Sequence, residues 1–198
     1  TITINPEPVV SSTLDATRCS DVAIGLTLNT NGTSVAATSY NITGRSIAAG
    51  LIAGAGNAVV PSLGVANNYL ANDIFTNTGA AALTVAYTVV PISAAGCVGD
   101  SKVITITINP EPVVSSSLNA TVCSDIATGL TLNTNGTSVA AFSYNITAIS
   151  VNPGLTPAGA NVAVPAVGVA ANYLSAHVFN NSGASSLPVT YTVVPVSA

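Results

Sequence analysis

The segment TITINPEPVVSS occurs twice in this chain, at Thr1–Ser12 and again at Thr105–Ser116. The same offset relates LTLNTNGTSVAA at residues 26–37 to its copy at residues 130–141. About two-thirds of the aligned positions are identical, and no insertion is needed. A period near 100 residues is the length of a whole domain, whereas solenoids and propellers repeat every 20–50 residues or so. The sequence therefore predicts a tandem array of domains.

The repeat also predicts the domain limits. Repeat 1 closes with KVITITIN at 102–109, so domains are expected at 6–109 and 110–198. Residues 1–5 then match the last strand of a preceding repeat, and repeat 2 stops at the counterpart of Ala94. We expect the parent chain to continue in both directions, and repeat 2 to lack its last strand here. Such a sandwich has an open edge, which invites aggregation or strand donation.

Hydrophobic alternation predicts β-strands in both repeats. In KVITITIN, Ile104, Ile106 and Ile108 alternate with less apolar residues, and ALTVAYTVVP at 82–91 alternates in the same way. A period of two is that of a half-buried strand. Turn motifs rich in Asn, Gly and Pro separate the strands, and no segment has a helical period with caps. The chain is therefore expected to be all-β, with a Greek-key sandwich of immunoglobulin type in each repeat.

The composition excludes several classes of protein. Only 5% of the residues are charged and 48% are hydrophobic, whereas an ordinary soluble domain has about 25% charged residues. No apolar run is long enough to span a membrane, and three basic residues cannot neutralise nucleic acid. The surface must be covered by small uncharged residues, which favour association. We therefore expect chains that associate laterally into a homo-oligomeric fibre.

Residues that could perform chemistry are isolated from one another. His177 is the single histidine, its counterpart in repeat 1 is Asp73, and it is expected as an exposed polar residue on a strand. The seven acidic residues form no cluster of the kind that calcium needs. A serine triad would need a histidine, which repeat 1 lacks. We expect no catalytic residue, no metal site and no cofactor.

Several motifs together resemble a known family. The order is NPEPVV, a Cys before an LTL strand, a YNIT strand, LxVxYTVxP, and GC followed by TxTIN. This order resembles the PKD-like (Ig-like) repeats of giant Bacteroidota cell-surface proteins exported by type IX secretion, among them gliding adhesins and filaments of predatory cells. The resemblance covers both repeats and implies a secreted, cell-surface protein. Family members often carry Trp near Asn41 and Asn145; here Tyr40, Tyr87 and Phe75 are expected to fill the core.

The cysteine count suits an oxidising, extracellular setting. Cys19 and Cys97 lie in repeat 1, and Cys123 is the counterpart of Cys19. A Cys19–Cys97 bond within the domain is preferred, because the segment 9–25 is long enough for its path to depart from that of a standard immunoglobulin domain. Cys123 is then unpaired. The alternative joins Cys19 to a cysteine of the next domain, because the A–B and F–G loops of an immunoglobulin fold lie at opposite poles.

The linker and the overall role complete the prediction. Asn109, Pro110, Glu111 and Pro112 are expected to form a stiff joint, because proline fixes φ and restricts its neighbour. The chain is expected to be a structural repeat of a giant extracellular filament or adhesin stalk, with neighbouring repeats and other chains as partners. The alternative is a module that binds glycans or cell surfaces through loops 48–57 and 151–161, where the repeats differ most. An accessory domain of a secreted hydrolase is a third hypothesis; the chain itself is not expected to be an enzyme.

Overall fold

The computed structural model describes residues 1–197, and these contain strands and turns but no helix. The all-β class predicted from the sequence is confirmed. The chain divides into two compact units, Thr1–Pro110 and Glu111–Ala198. The strands are β1 Ala16–Cys19, β2 Ala37–Ile47, β3 Ile52–Ala53, β4 Ser62–Val65, β5 Phe75–Thr76, β6 Leu83–Ser93, β7 Lys102–Asn109, β8 Ser143–Val151, β9 Thr156–Pro157, β10 Ala166–Val169, β11 Phe179–Asn180 and β12 Val189–Val196.

Unit 1 is built on one five-stranded sheet in the order β1-β7-β6-β2-β4. Strands β6 and β7 are antiparallel, with Leu83 opposite Ile108 and Val89 opposite Lys102. Strand β1 is parallel to β7, and its Cys19 lies opposite Asn109. The last strand of the repeat therefore lies inside the sheet, between β1 and β6.

The core of unit 1 follows the alternation seen in the sequence. Ile104, Ile106 and Ile108 on β7 are fully buried, as are Val85, Tyr87 and Val89 on β6. A second layer, formed by loop segments and the short β3–β5 pair, supplies further buried side chains to the same cluster: Ile24, Leu26, Leu28, Leu51, Leu70 and Phe75. Tyr40, Tyr87 and Phe75 are buried, which confirms the predicted aromatic core. Leu26 and Leu28 are buried but lie in a loop, not in the short strand expected there.

Unit 2 repeats this plan with fewer strands. Its main sheet has the order β10-β8-β12, which corresponds to β4-β2-β6 of unit 1. The described residues of unit 2 include no strand equivalent to β7. Residues 120–123, the counterpart of β1, are not a strand, and the described residues of unit 2 include none for them to pair with as β1 pairs with β7. The buried apolar core shrinks to Leu132, Tyr144, Ile146 and Leu174.

The first five residues are outside every sheet. The sequence TITIN forms the end of β7 at residues 105–109, but at residues 1–5 it is not a strand. Ile2 and Ile4 are 88% and 84% exposed. The same five-residue sequence therefore contributes to the core at residues 105–109 and is exposed to water at residues 1–5. A strand forms only where it has neighbouring strands to pair with.

We predict that Ile106→Ala lowers the free energy of unfolding of unit 1 by about 2–5 kcal/mol, because it leaves a cavity beneath a fully buried strand. Val103→Ala on the exposed face of β7 should stay within about 0.5 kcal/mol of the parent. Urea unfolding followed by tyrosine fluorescence measures both. Equal losses in the two variants would contradict the burial pattern.

Candidate functional site

A buried acid is the first candidate for chemistry in unit 1. Asp73 follows the turn after Leu70 and is 1% exposed. Its Oδ1 accepts a hydrogen bond from the Ala58 backbone N–H at 2.6 Å, and its Oδ2 accepts one from the Tyr87 hydroxyl. The Arg45 guanidinium lies 3.7 Å from Oδ2 and also donates to the Ala58 carbonyl at 3.1 Å. The carboxylate is thus paired and hydrogen-bonded, as a buried charge must be.

This arrangement has no free group with which to react. Burial, followed by the hydrogen bond to Asp73, raises the pKa of Tyr87 well above its usual range, so its hydroxyl stays protonated and donates. Both oxygens of Asp73 are occupied by donors. The cluster therefore fastens the segment around Ala58 to the sheet, which is a structural task.

In unit 2 the positions equivalent to this cluster carry different side chains. His177 replaces Asp73, Ile149 replaces Arg45, and Tyr191 corresponds to Tyr87. His177 Nδ1 lies 2.8 Å from the Tyr191 hydroxyl, and the histidine is 1% exposed. The acid and its positive partner are replaced together, so neither repeat buries an unpaired charge. Because the fold accommodates both sets of side chains at this site, we interpret the site as part of the packed core.

The prediction that His177 is an exposed strand residue was wrong. It lies just before β11 and packs against Phe179 and Tyr191, with ring centroids 6.1 Å and 5.6 Å away. The joint exchange of residues 73 and 45 between the repeats was the signal that could have placed it. Its Nε2 is buried without a partner among the described residues, and burial lowers the pKa of His177. Burial also raises the pKa of Tyr191 to about 12.

The cysteines correct the predicted pairing. All three are free thiols in the structure. Cys19 lies opposite Asn109 at one end of the sheet, and the Cys97 N–H donates to Ser93 Oγ at the other end, 3.1 Å away. These ends are separated by the length of β6, roughly 30 Å at 3.3 Å per residue. A disulfide tolerates Cα atoms only about 7 Å apart, so the Cys19–Cys97 bond within the domain is incompatible with this fold.

The predicted linker residues divide between the two units. Asn109 is the last residue of β7, and its carbonyl accepts a hydrogen bond from Ser20 N–H at 3.0 Å. Pro110 ends unit 1, and Glu111 and Pro112 begin unit 2. Two prolines flanking Glu111 restrict the backbone at this joint. Its stiffness stays a prediction.

The acidic residues are dispersed in the fold as well. Among residues 1–197 no three His, Cys, Asp or Glu side chains lie close enough together to hold a metal ion. Asp21 and Asp125 have left-handed backbones with φ of 60° and 65°. Their side chains hold β5 and β11: Asp21 accepts from the Thr76 hydroxyl, and Asp125 from Asn180 Nδ2 at 2.9 Å. They act as turn residues, each directly after a Cys-Ser pair in the sequence.

An open groove in unit 2 has a volume of about 880 Å³. One wall is the segment 120–124, and the other is the free edge of β12 with residues 187–190 before and within it. Leu130, Leu132 and Phe179 line its apolar floor. The corresponding space in unit 1 is filled by β7. The groove lies at the position that β7 occupies in unit 1, and its lining is not a set of converging polar groups of the kind that define a small-molecule site.

We predict that the free energy of unfolding of unit 2 decreases as the pH falls below about 6.5. The unfolded chain binds a proton on His177 more tightly than the folded chain does, because the folded pKa is lowered. His177→Gln, which cannot titrate, should have a flat profile between about pH 7 and pH 5. Urea unfolding at several pH values tests this. Parallel profiles for the two proteins would contradict the buried position of His177.

Comparison with known proteins agrees with this fold. Residues 16–112 match the family model of the PKD-like domain, a stretch that runs from β1 to the end of β7 and into the linker. No match to the chain was found among curated proteins. Domains of this kind are typically extracellular structural or binding modules and are generally not catalytic. The described residues contain no helix long and apolar enough to cross a membrane. The match and the all-β architecture together support a PKD-like, immunoglobulin-like domain at residues 16–112.

Proposed function

We propose that the chain is a structural repeat of a long extracellular filament or adhesin stalk on a bacterial surface, of the type IX-secreted kind that its motifs resemble. Its role is to extend and mechanically support adhesion, motility or prey capture, with chains that associate laterally. One observation carries this proposal: the same position of both units presents an exposed aliphatic side chain on an edge strand. Leu63 is 74% exposed and its counterpart Val167 is 79% exposed.

The edge strands that carry these residues offer side chains, and not a regular row of backbone groups, to a neighbouring chain. Strand β4 is at the edge of its sheet, and β10 is at the edge of the other. Gly64 and Gly168 follow with φ of 65° and 66°, and the register of both strands shifts there. Each glycine N–H is held by an asparagine on the neighbouring strand, at 2.8 Å in both units. A bulged edge is a poor template for adding another strand, so apolar side chains are what remains for a neighbour to contact.

Charge does little to keep neighbouring chains apart. The sequence has three basic and seven acidic residues in 198 positions, and the buried Asp73 and its partner Arg45 neutralise each other inside unit 1. Few charges are therefore left for the surface of unit 1. Uncharged surfaces with exposed aliphatic groups associate more readily than charged ones. Repetition of the same patch at every repeat multiplies a weak contact along the chain.

A glycan-binding or cell-binding module is the alternative function. The loops 48–57 and 151–161 differ most between the repeats, yet both are tied to the fold at the same place. Asn57 Nδ2 donates to the Ile74 carbonyl at 2.8 Å, and Asn161 Nδ2 donates to the Val178 carbonyl at 2.9 Å. The loops thus vary in sequence on a shared anchor, which suits recognition as well as drift. Binding on a glycan array would favour this alternative.

We predict that the double variant L63D/V167D prevents lateral association, because it places a charge in each aliphatic patch. T43D/T147D is the matched control: it adds the same charge at corresponding exposed positions on β2 and β8. Sedimentation over a range of concentrations and electron micrographs measure bundling. The parent and T43D/T147D should form bundles and L63D/V167D should not. Bundling that is lost equally in both variants would show that net charge matters and the patch does not.

A further inference from the structure

A shallow pocket in unit 1 has a volume of about 350 Å³ and no charged residue in its lining. Three segments form it: the loop at 28–30, residues 36–40 at the start of β2, and residues 66–67 after β4. Leu28 N–H donates to the Asn67 carbonyl at 2.8 Å, which holds two of these segments together. The volume is at the lower end of the range found for small-molecule sites.

The Tyr40 hydroxyl is a polar group without a partner at this pocket. Tyr40 is 3% exposed and lines the pocket, yet its hydroxyl makes no hydrogen bond among residues 1–197. Unlike Nε2 of His177, this oxygen is not enclosed by protein atoms, so we place it at the pocket wall. Burial raises the pKa of Tyr40, which keeps the hydroxyl protonated and able to donate. Polar groups of buried residues normally have a partner, and here the pocket is where one can bind.

Two side-chain amides at the same pocket are also unused by the fold. Asn29 and Asn67 are exposed, line the pocket, and make no side-chain hydrogen bond in the described part of the chain. Nearby Asn31 differs, because its Oδ1 accepts from Ser34 N–H at 2.8 Å and holds a turn. Each free amide offers two donors and an acceptor. The pocket therefore has three polar groups that are available to a ligand.

The lining favours a neutral ligand that is rich in hydroxyl groups. A charged ligand would lose its hydration without gaining an opposite charge, and an apolar ligand would leave the hydroxyl and the amides unpaired. The neighbouring hydroxyls of a saccharide each donate and accept, so a pair of them can bind the oxygen and the nitrogen of one amide. The methyl groups of Ala36, Ala37 and Ala66 complete the lining with small apolar surfaces.

Unit 2 has the same backbone at this place without the same polar side chains. Leu132 N–H donates to the Ala171 carbonyl at 2.8 Å, as in unit 1. Ala171 takes the place of Asn67, and Phe142 takes the place of Thr38 and is 77% exposed. The fold therefore forms without the amide of Asn67, which leaves that side chain free for another role.

We propose that this pocket of unit 1 binds a neutral saccharide unit, through hydrogen bonds with the Tyr40 hydroxyl and the side-chain amides of Asn29 and Asn67. The proposal gives the alternative function, a glycan-binding module, a site apart from the loops 48–57 and 151–161. It does not rest on lateral association through the aliphatic side chains of β4 and β10. One saccharide site per two-unit chain is expected.

The first experiment locates binding by NMR. The ¹⁵N-labelled chain, at a concentration where it sediments as a monomer, is titrated with glucose, galactose, mannose, N-acetylglucosamine and cellobiose. At least one of these probes should shift the side-chain amide signals of Asn29 and Asn67 and the backbone signals of residues 36–40. Signals of the equivalent residues 140–144 should stay in place. No shift at the unit 1 pocket with any probe, or equal shifts in both units, overturns the proposal.

The second experiment removes the polar groups one at a time. Tyr40→Phe and Asn67→Ala should each weaken binding of the shifting saccharide about three- to tenfold, the effect of one lost hydrogen bond. Tyr144→Phe is the same change at the equivalent position of unit 2, and Asn68→Ala changes the exposed neighbour of Asn67. Both controls should bind like the parent. Unchanged binding in Tyr40→Phe and Asn67→Ala, or equal losses in the controls, contradicts the assigned groups.

The third experiment tests the class of ligand and separates the two proposals. Glucuronate, glucosamine and the neutral peptide analogue N-acetylglycine methylamide should each bind more weakly than the best neutral saccharide. Tighter binding of any of them overturns the assignment to a neutral saccharide. Tyr40→Phe should still form lateral bundles in electron micrographs. Loss of bundles in this variant would contradict the independence of the saccharide site from lateral association.

Discussion

Strand β7 is the element on which unit 1 depends, because it lies between β1 and β6 and joins them into one sheet. It pairs with β1 in parallel and with β6 in antiparallel fashion, and it contributes three isoleucines that are fully buried. The two units form a natural comparison, since about two-thirds of their aligned positions are identical. In unit 2, whose described residues include no such strand, the β1 counterpart is not a strand and the buried apolar core has four residues. Local preference alone does not make a strand of ATRC or ATVC; pairing does.

Much of the fold of unit 1 could be predicted from alternation alone. The strands of Leu83–Ser93 and Lys102–Asn109 and the burial of Tyr40, Tyr87 and Phe75 follow from residues that repeat with a period of two. Leu26 and Leu28 show the limit of such reasoning. Alternation correctly predicts that they are buried, but the hydrogen bonds of this segment go to the turn at Asn67 and not to a strand. The pattern reports which side faces the core, and it does not report which partner the backbone finds.

The buried polar positions could not be predicted one residue at a time. A single histidine in an apolar sequence is most simply interpreted as exposed, yet His177 is buried against Tyr191. Its environment is defined by a residue 14 positions away on β12 and by the absence of an arginine at Ile149. The cysteines are a similar case, because their spacing along the chain does not reveal that a whole strand separates them. A comparison of the two repeats reveals the environments of these residues only when several positions are compared jointly.

The parallel pairing of β1 with β7 has a mechanical consequence. Tension applied along the chain pulls β1 from the end at Ala16 and β7 from the end at Asn109, which lie at opposite ends of the paired segment. The two strands are then loaded in shear, so their hydrogen bonds resist together and do not open one after another. An antiparallel pair pulled from adjacent ends would unzip instead. The position of the last strand thus converts a modest number of backbone hydrogen bonds into resistance to extension.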